Sequence, residues 1–333
     1  VIDAIGESWR RVRGRARKRA IEATVADPIR RIALTGFFRL DEVALVLEQY
    51  LAHGNGATNA WNPFADAHLE LPGWFRHGLD PWSRDYADQQ HRLWQGISGR
   101  NEPYEPGRHE REAPIETADP VRHPGWFARR DPLAVAVAAE HVIAGGMILK
   151  HGGLRPGDRA LEYGAGFGQT ALTLARLGVE VDTVDISAAL CAAVKAQAEF
   201  FRVPLTAHCG RFGLNPRPGS RYRLIWFYES FHHCAEFARV VPLLREHLEP
   251  GGRVLLAGEP VVEREYAAVP YPWGIRLHSE VVAVVRRFGW YELGFSEAFL
   301  FELFRRSGFE GRRIDCEPSA FGRCYVFEAA RRG

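Results

Sequence analysis

Glu162-Tyr163-Gly164-Ala165-Gly166-Phe167-Gly168 is the stretch on which the fold turns. Arg159–Tyr163 reads as a short buried strand and Gln169–Leu177 as a helix, so the glycines occupy a strand-to-helix turn. Glycine there lets the chain turn sharply, lets a ligand approach the backbone, and leaves the helix N-terminus open toward that ligand. Dinucleotide-binding proteins share such a turn, with the fingerprint G-x-G-x-x-G. Here the third glycine comes one residue early. Gln169 stands where that fingerprint wants its last glycine, and the acidic Glu162 precedes Gly164 by two places.

Outward from the loop, apolar helices alternate with short β-branched runs, the pattern of a parallel sheet covered by helices. Asp131-Pro132 opens a helix to about Lys150, with Pro132 suited to its first turn. Val179–Ile186 reads as the second strand, and Ser187 as N-cap of a helix over Ala188–Phe201. Pro204–Cys209 and Arg223–Tyr228 read as the third and fourth strands. A helix over Phe237–Leu248 closes at Glu249-Pro250-Gly251-Gly252, and Arg253–Ala257 is the fifth strand. The segment Glu259–Phe295 has no place in the alternation, which resumes with a helix at Ser296–Ser307 and strands near Arg312–Cys316 and Arg323–Glu328.

Four of these pieces, in this order, resemble the class I S-adenosylmethionine-dependent methyltransferases. The E-x-G-x-G-x-G loop is similar to that family's first motif, which cradles the methionine and ribose portions of the cofactor. Asp185 ends the second strand, where the family places an acidic partner for the ribose hydroxyls. Arg223–His233 is similar to its fourth strand and the turn facing the methyl group, and Leu248-Glu-Pro-Gly-Gly to its turn into strand five. The resemblance covers roughly residues 131–333. It implies an α/β fold: a seven-stranded, mostly parallel Rossmann-like sheet with helices on both faces. Added to it are a Trp-rich, helical or irregular N-terminal extension (1–130) and a lid insert after strand five (259–295). The implied cofactor is S-adenosylmethionine, leaving as S-adenosylhomocysteine, and the implied contacts are Glu162, Gly164, Ala165, Gly166, Gly168, Asp185, Ile186 and Tyr228. Where many members carry an Asp toward the adenine, this chain reads His208-Cys-Gly-Arg211-Phe212. Arg211 and Phe212 are the substitutes, unless Phe212 is simply core.

Methyl transfer needs a nucleophile aligned with the S–CH₃ bond and, for a hydroxyl, a group that removes its proton. Glu229, His232, His233 and Glu259 are expected at the carboxyl ends of strands four and five, where open α/β sheets hold their ligands. The family's small-molecule O-methyltransferases often use a histidine just after strand four, which His232 matches; His233 could equally point inward, or both could bond locally. His232-His233-Cys234 has no fourth ligand spaced to complete a metal site, so no metal is expected. Tyr271, Trp273, Arg276 and Trp290 in the insert, with Glu259, are the candidate acceptor contacts, since aromatic faces beside charges suit a sugar or other polar ring. The strand-four turn lacks the Asn/Asp-Pro-Pro-aromatic motif of base-modifying methyltransferases. That and the net charge of +2 argue against nucleic acid.

The expected activity is thus O-methylation of a small molecule, sugar or glycoconjugate, as in glycan or natural-product biosynthesis. A catalytically silent scaffold, N- or C-methylation, and a nicotinamide-dependent oxidoreductase are the alternatives. Five irregularly spaced cysteines form no disulfide or zinc framework and fit a reducing cytoplasm. Neither a signal peptide nor an apolar run near the length of a membrane span is expected. The basic run Arg10–Arg19 reads as a solvated face, with contact to an anionic membrane surface or to nucleic acid as the alternatives. Six of nine tryptophans (Trp9, Trp61, Trp74, Trp82, Trp94, Trp126) precede residue 131, which points the extension toward the acceptor pocket or a homodimer contact.

Overall fold

The computed structural model describes Lys18 and residues 25–53, 64–109, 119–317, 319 and 321–330. The basic run apart from Lys18, and Trp9 and Trp61, lie outside these residues. The chain forms two compact units, residues 1–102 with 276–289, and residues 103–275 with 290–333. The break therefore falls at 102/103 rather than 130/131, and part of the insert belongs to the first unit.

In the first unit α1 (Pro28–Thr35) starts at Asp27, whose carboxylate accepts from the Ile29 N–H. It leads to β1 (Phe37–Phe38), α2 (Val43–His53), β2 (His68–Leu69) and α3 (Arg84–Ser98). Trp94, Leu93 and Ile97 on α3 are fully buried. The Trp94 indole donates to the carbonyl of Gly289 at 3.2 Å, and the Leu69 N–H to that of Leu277 at 2.8 Å. The insert segment 276–289 packs here because its helix buries Val282, Ala283 and Val285 against α2 and α3. The lid insert expected at 259–295 is thus divided between the two units.

The second unit holds α4 (Pro106–His109) and α5 (Ala134–Gly152), followed by the expected alternation. Its members are β3 (Arg159–Tyr163), α6 (Gln169–Arg176), β4 (Glu180–Asp185), α7 (Ala188–Phe201), β5 (Leu205–Cys209), β6 (Tyr222–Tyr228), α8 (Phe237–His247) and β7 (Leu248–Ala257). Next come β8 (Val261–Val262), β9 (Trp273–Ile275), the first unit's α9 (Ser279–Phe288), β10 (Leu293–Ser296), α10 (Glu297–Arg306), β11 (Phe309–Ile314) and β12 (Cys324–Ala329). The seven-stranded sheet runs β11-β12-β7-β6-β3-β4-β5, parallel except for β12, which is antiparallel to both neighbours. Leu224, Ile225, Trp226 and Phe227 of β6 are all fully buried, so both faces of the sheet are covered, as an uninterrupted apolar strand requires. From β3 the chain builds outward through β4 and β5, then returns to β6 on the other side of β3. That reversal opens a crevice at the carboxyl end of β3, where the glycine loop lies.

Two expectations shift. Strand five begins at Leu248, because Tyr222 pairs with Leu248 and Leu224 with Arg253, leaving 249–252 as a bulged excursion. Contrary to the expectation of no apolar run near the length of a membrane span, α5 is 19 residues long and apolar enough to qualify by length and composition. It packs on β7 and β12, with Val135 and Val142 exposed. β8, β10 and β9 form a separate three-stranded sheet inside the insert. All five cysteines are free.

Ser187 caps α7 by accepting from the Leu190 N–H at 3.2 Å. Ser187→Ala is expected to destabilise this unit by about 1 kcal/mol, measured by denaturant unfolding. An unchanged midpoint would mean that the cap contributes nothing.

Candidate active site

The three loop glycines do three different jobs. All have positive φ, at 66° for Gly164, 54° for Gly166 and 64° for Gly168. A Cβ on Gly164 would lie 2.5 Å from the Ser230 Cβ, so glycine here lets the turn after β6 close against the loop. A Cβ on Gly168 would meet Val194 of α7 at 3.0 Å, so that glycine serves helix packing. Gly166 has no heavy atom within 4 Å of its Cβ position; it gives the loop its curvature and an open face. The Gly166 N–H donates to Asp185 Oδ2 and the Ser187 N–H to Oδ1, each at 2.9 Å. Two amides thus orient the Asp185 carboxylate at the end of β4, and a carboxylate has acceptor capacity beyond two donors.

Glu162 lies beneath the loop. It is 3% exposed, and its Oε1 accepts from the Trp226 indole at 2.8 Å. Oε2 has no hydrogen-bond partner among the described residues. Burial, opposed by the Trp226 bond and reinforced by Asp185, pushes its pKa up to about 8. It is therefore a neutral acid at pH 7 and a donor to whatever reaches Oε2. Phe212 packs edge-on against Tyr163 and tilted against Phe227, with its ring beside Gly164. Arg211 reaches instead to Glu105 at 3.2 Å, both half-exposed. Ile186 is partly exposed just past β4, and Ala165 sits on the loop.

The turn after β6 is built around Glu259. Its carboxylate is fully buried and accepts N–H groups from Ser230 (2.9 Å), Phe231 (2.8 Å) and His232 (3.0 Å), and the His232 Nδ1 proton at 2.8 Å. Burial works against its ionised form, but His232 and the amides outweigh burial and hold the carboxyl below its ordinary pKa. The expected role of Glu259 as an acceptor contact or base is corrected. It orients His232 and leaves Nε2 of that ring facing onward. Ser230 ties the turn to β3 by donating to the Tyr163 carbonyl at 2.8 Å. Glu292, which the sequence reading did not single out, comes within 3.7 Å of His232 Nε2 and 3.9 Å of His233 Nδ1. Trp290 stands edge-on to His233 at 5.6 Å.

Glu229 and Tyr228 join a different group. Glu229 has φ 48°, unusual for a non-glycine residue, and its carboxylate lies 3.5 Å from His141 Nδ1. The Tyr228 hydroxyl bonds the same nitrogen. Burial, then Glu229, raises the Tyr228 pKa, while burial, then Arg129, lowers that of His141, so the phenol donates and the imidazole is neutral. Trp126 stacks on His141 at 4.3 Å and Phe321 at 5.4 Å. The turn carrying Trp126 meets the glycine loop, since a Cβ on Gly125 would lie 3.3 Å from Phe167. The sequence pattern gives no sign of His141 and Phe321, which together with Trp126 come from three separate segments.

Tyr271 and Trp273, expected to contact the acceptor, are core residues. Tyr271 is 3% exposed and donates to the Ile275 carbonyl, and Trp273 packs edge-on to Phe237 at 5.0 Å. Trp273 opens β9, all three residues of which are buried, and Tyr271 lies just before that strand. Arg276 belongs to the first unit.

Residues 160–252, which hold the loop, Asp185 and the β6 turn, match the family model described as "Methyltransferase domain". Residues 160–252 thus carry a methyltransferase domain. The open Gly166, the oriented Asp185 and the orphaned Glu162 oxygen fit S-adenosylmethionine, the cofactor that the loop's resemblance implies. A segment of 138 residues is 28% identical to 27-O-demethylrifamycin SV methyltransferase of Amycolatopsis mediterranei (strain S699), covering 40% of this chain and 47% of that one. A 44-residue segment is 54% identical to protein-L-isoaspartate O-methyltransferase of Methylorubrum extorquens (strain PA1), covering 13% and 19%. The chain thus spans less than half the length of these curated relatives. Among solved structures it is similar to geranyl diphosphate C-methyltransferase from Streptomyces coelicolor A3(2), with 15% identity over 75% of this chain and all of that one, and a TM-score of 0.47.

Because Glu162 titrates near pH 8 when folded and near 4.5 otherwise, the folded protein holds a proton that the unfolded chain has lost between those values. Stability contributed by this group therefore falls as pH rises through that window, by at most about 1.4 kcal/mol per unit. Glu162→Gln keeps an oxygen for Trp226 and is expected to flatten the dependence of Tm on pH between 5 and 8. A variant as pH-sensitive as wild type would contradict the buried proton.

Proposed function

We propose that this chain transfers the methyl group of S-adenosylmethionine to a hydroxyl of a small molecule or sugar-bearing acceptor, with His232 taking the hydroxyl proton. The observation that carries this reading is the Glu259–His232 pair, on a turn that closes against the first loop glycine. The bound cofactor supplies a methyl already activated by its sulfonium. What this chain then has to do is hold an oxygen in line and accept one proton. With Nδ1–H committed to Glu259, the Nε2 lone pair of His232 is the acceptor, and the carboxylate stabilises the imidazolium that results. Both curated relatives are named for chemistry at oxygen, one acting on 27-O-demethylrifamycin SV and the other being an O-methyltransferase. That favours a hydroxyl over a nitrogen or carbon acceptor. Trp290, beside His233, is the insert aromatic retained as an acceptor contact; natural-product biosynthesis and a cytoplasmic location belong to the same proposal.

Calorimetry should give S-adenosylhomocysteine binding in the micromolar range, about −7 to −8 kcal/mol. Asp185→Ala should weaken it at least ~10-fold, about 1.4 kcal/mol, while His232→Ala should leave it unchanged. With a methylated acceptor in hand, His232→Ala should lower turnover by ~10²–10⁴. Absence of cofactor binding by the intact protein would sink the reading.

A further inference from the structure

The side chains of His232, His233 and Glu292 converge in the second unit, each offering one ligand atom, with all three atoms within 4.8 Å of one another. The chain brings them together from two places. His232 and His233 share the turn at the end of β6, and Glu292 lies just before β10, which packs against that turn. Tyr291, fully buried and tilted against Tyr104 at 4.7 Å, fixes the backbone next to Glu292.

We propose that these three side chains bind a divalent transition cation such as Zn²⁺, through Nε2 of His232, Nδ1 of His233 and the Glu292 carboxylate. The separations carry the argument. Glu292 Oε2 lies 3.7 Å from His232 Nε2 and Oε1 lies 3.9 Å from His233 Nδ1, both too long for hydrogen bonds. Ligand atoms about 2.0–2.2 Å from a shared cation stand roughly 3–4 Å apart, so these distances suit an ion between them. Two imidazoles and a carboxylate are a donor set for zinc or iron(II) rather than magnesium or calcium, which prefer oxygen. Behind them, Glu259 accepts the Nδ1 proton of His232, the outer-shell bond that fixes the tautomer and raises the basicity of Nε2. Glu259 and Glu292 place two carboxyl groups beside the histidine pair. The sequence offered His232-His233-Cys234 with no fourth ligand; the fold brings Glu292, rather than Cys234, to the two histidines.

The cation site goes beyond the methyl-transfer reading and does not depend on it. Coordination would occupy the Nε2 lone pair that otherwise accepts the hydroxyl proton. A loaded site would act instead as a Lewis acid, lowering the pKa of an oxygen bound at an open position.

The test uses the full chain, stripped with chelator and titrated with Zn²⁺ in the absence of cofactor. One equivalent per chain is expected, with affinity falling at least ~10-fold in His233→Gln and in Glu292→Gln. X-ray absorption on the zinc-loaded wild type needs no variant. It should show only nitrogen and oxygen at about 2.0–2.2 Å, with scattering from two imidazoles. A sulfur shell, fewer than two imidazoles, no stoichiometric binding, or undiminished binding in both variants would overturn the site. S-adenosylhomocysteine is titrated separately into the same samples. Zinc binding without cofactor binding would remove the methyltransferase activity and leave the cation site standing.

Discussion

The buried carboxylate of Glu259 anchors the carboxyl edge of the sheet. An ionised group fully out of water is tolerated only if its lone pairs are filled, and this one accepts three successive backbone N–H groups and an imidazole proton. Those bonds force Ser230, Phe231 and His232 into a tight turn instead of letting β6 run on. The turn sets Ser230 against Gly164 and holds the glycine loop where β3 ends. Phe231, pinned by the same carboxylate, is fully buried and packs on Phe227 and Phe295, so the anchor also ties the insert's small sheet to the main one. Cofactor loop, histidine pair and insert all rest on one charge held off the protein surface.

A second constraint is the division of labour among polar groups at the mouth of the crevice. Glu259 is held ionised by donors, while Glu162, with one indole donor and deep burial, is held neutral. Two glutamates, one on β3 and one just past β7, thus differ in charge because their donor counts differ. The Tyr228–His141–Glu229 group adds a neutral imidazole clamped between aromatic rings, and the backbone of Glu229 is strained to reach it. Strain of that kind persists only where surrounding packing enforces it, here the close approach of Gly258.

The alternation of strands and helices from β3 to β12 was legible in the sequence because each element is locally encoded. β3 and α7 fall on the residues expected for them, since a continuous apolar strand and a serine cap need no distant partner. The shifts came where pairing overrides local signals. The Pro250-Gly251-Gly252 stretch reads as a turn but is a bulge, because β7 pairs with β6 on both sides of it. Tyr271 and Trp273 looked like pocket aromatics because composition does not say which aromatics the core will bury.

By itself the sequence determined the cofactor loop, the acidic residue ending β4 and the order of the main elements. These depend on backbone conformation and short-range periodicity, which neighbouring residues specify. Only the tertiary structure decided the roles of the polar side chains. Glu259 became the orienting partner of His232, Glu292 joined the histidine pair, and His141 met Tyr228, each across dozens of residues of chain. A side chain's charge and direction follow from its burial and from the donors folding brings to it. Neither exists until the strands have paired.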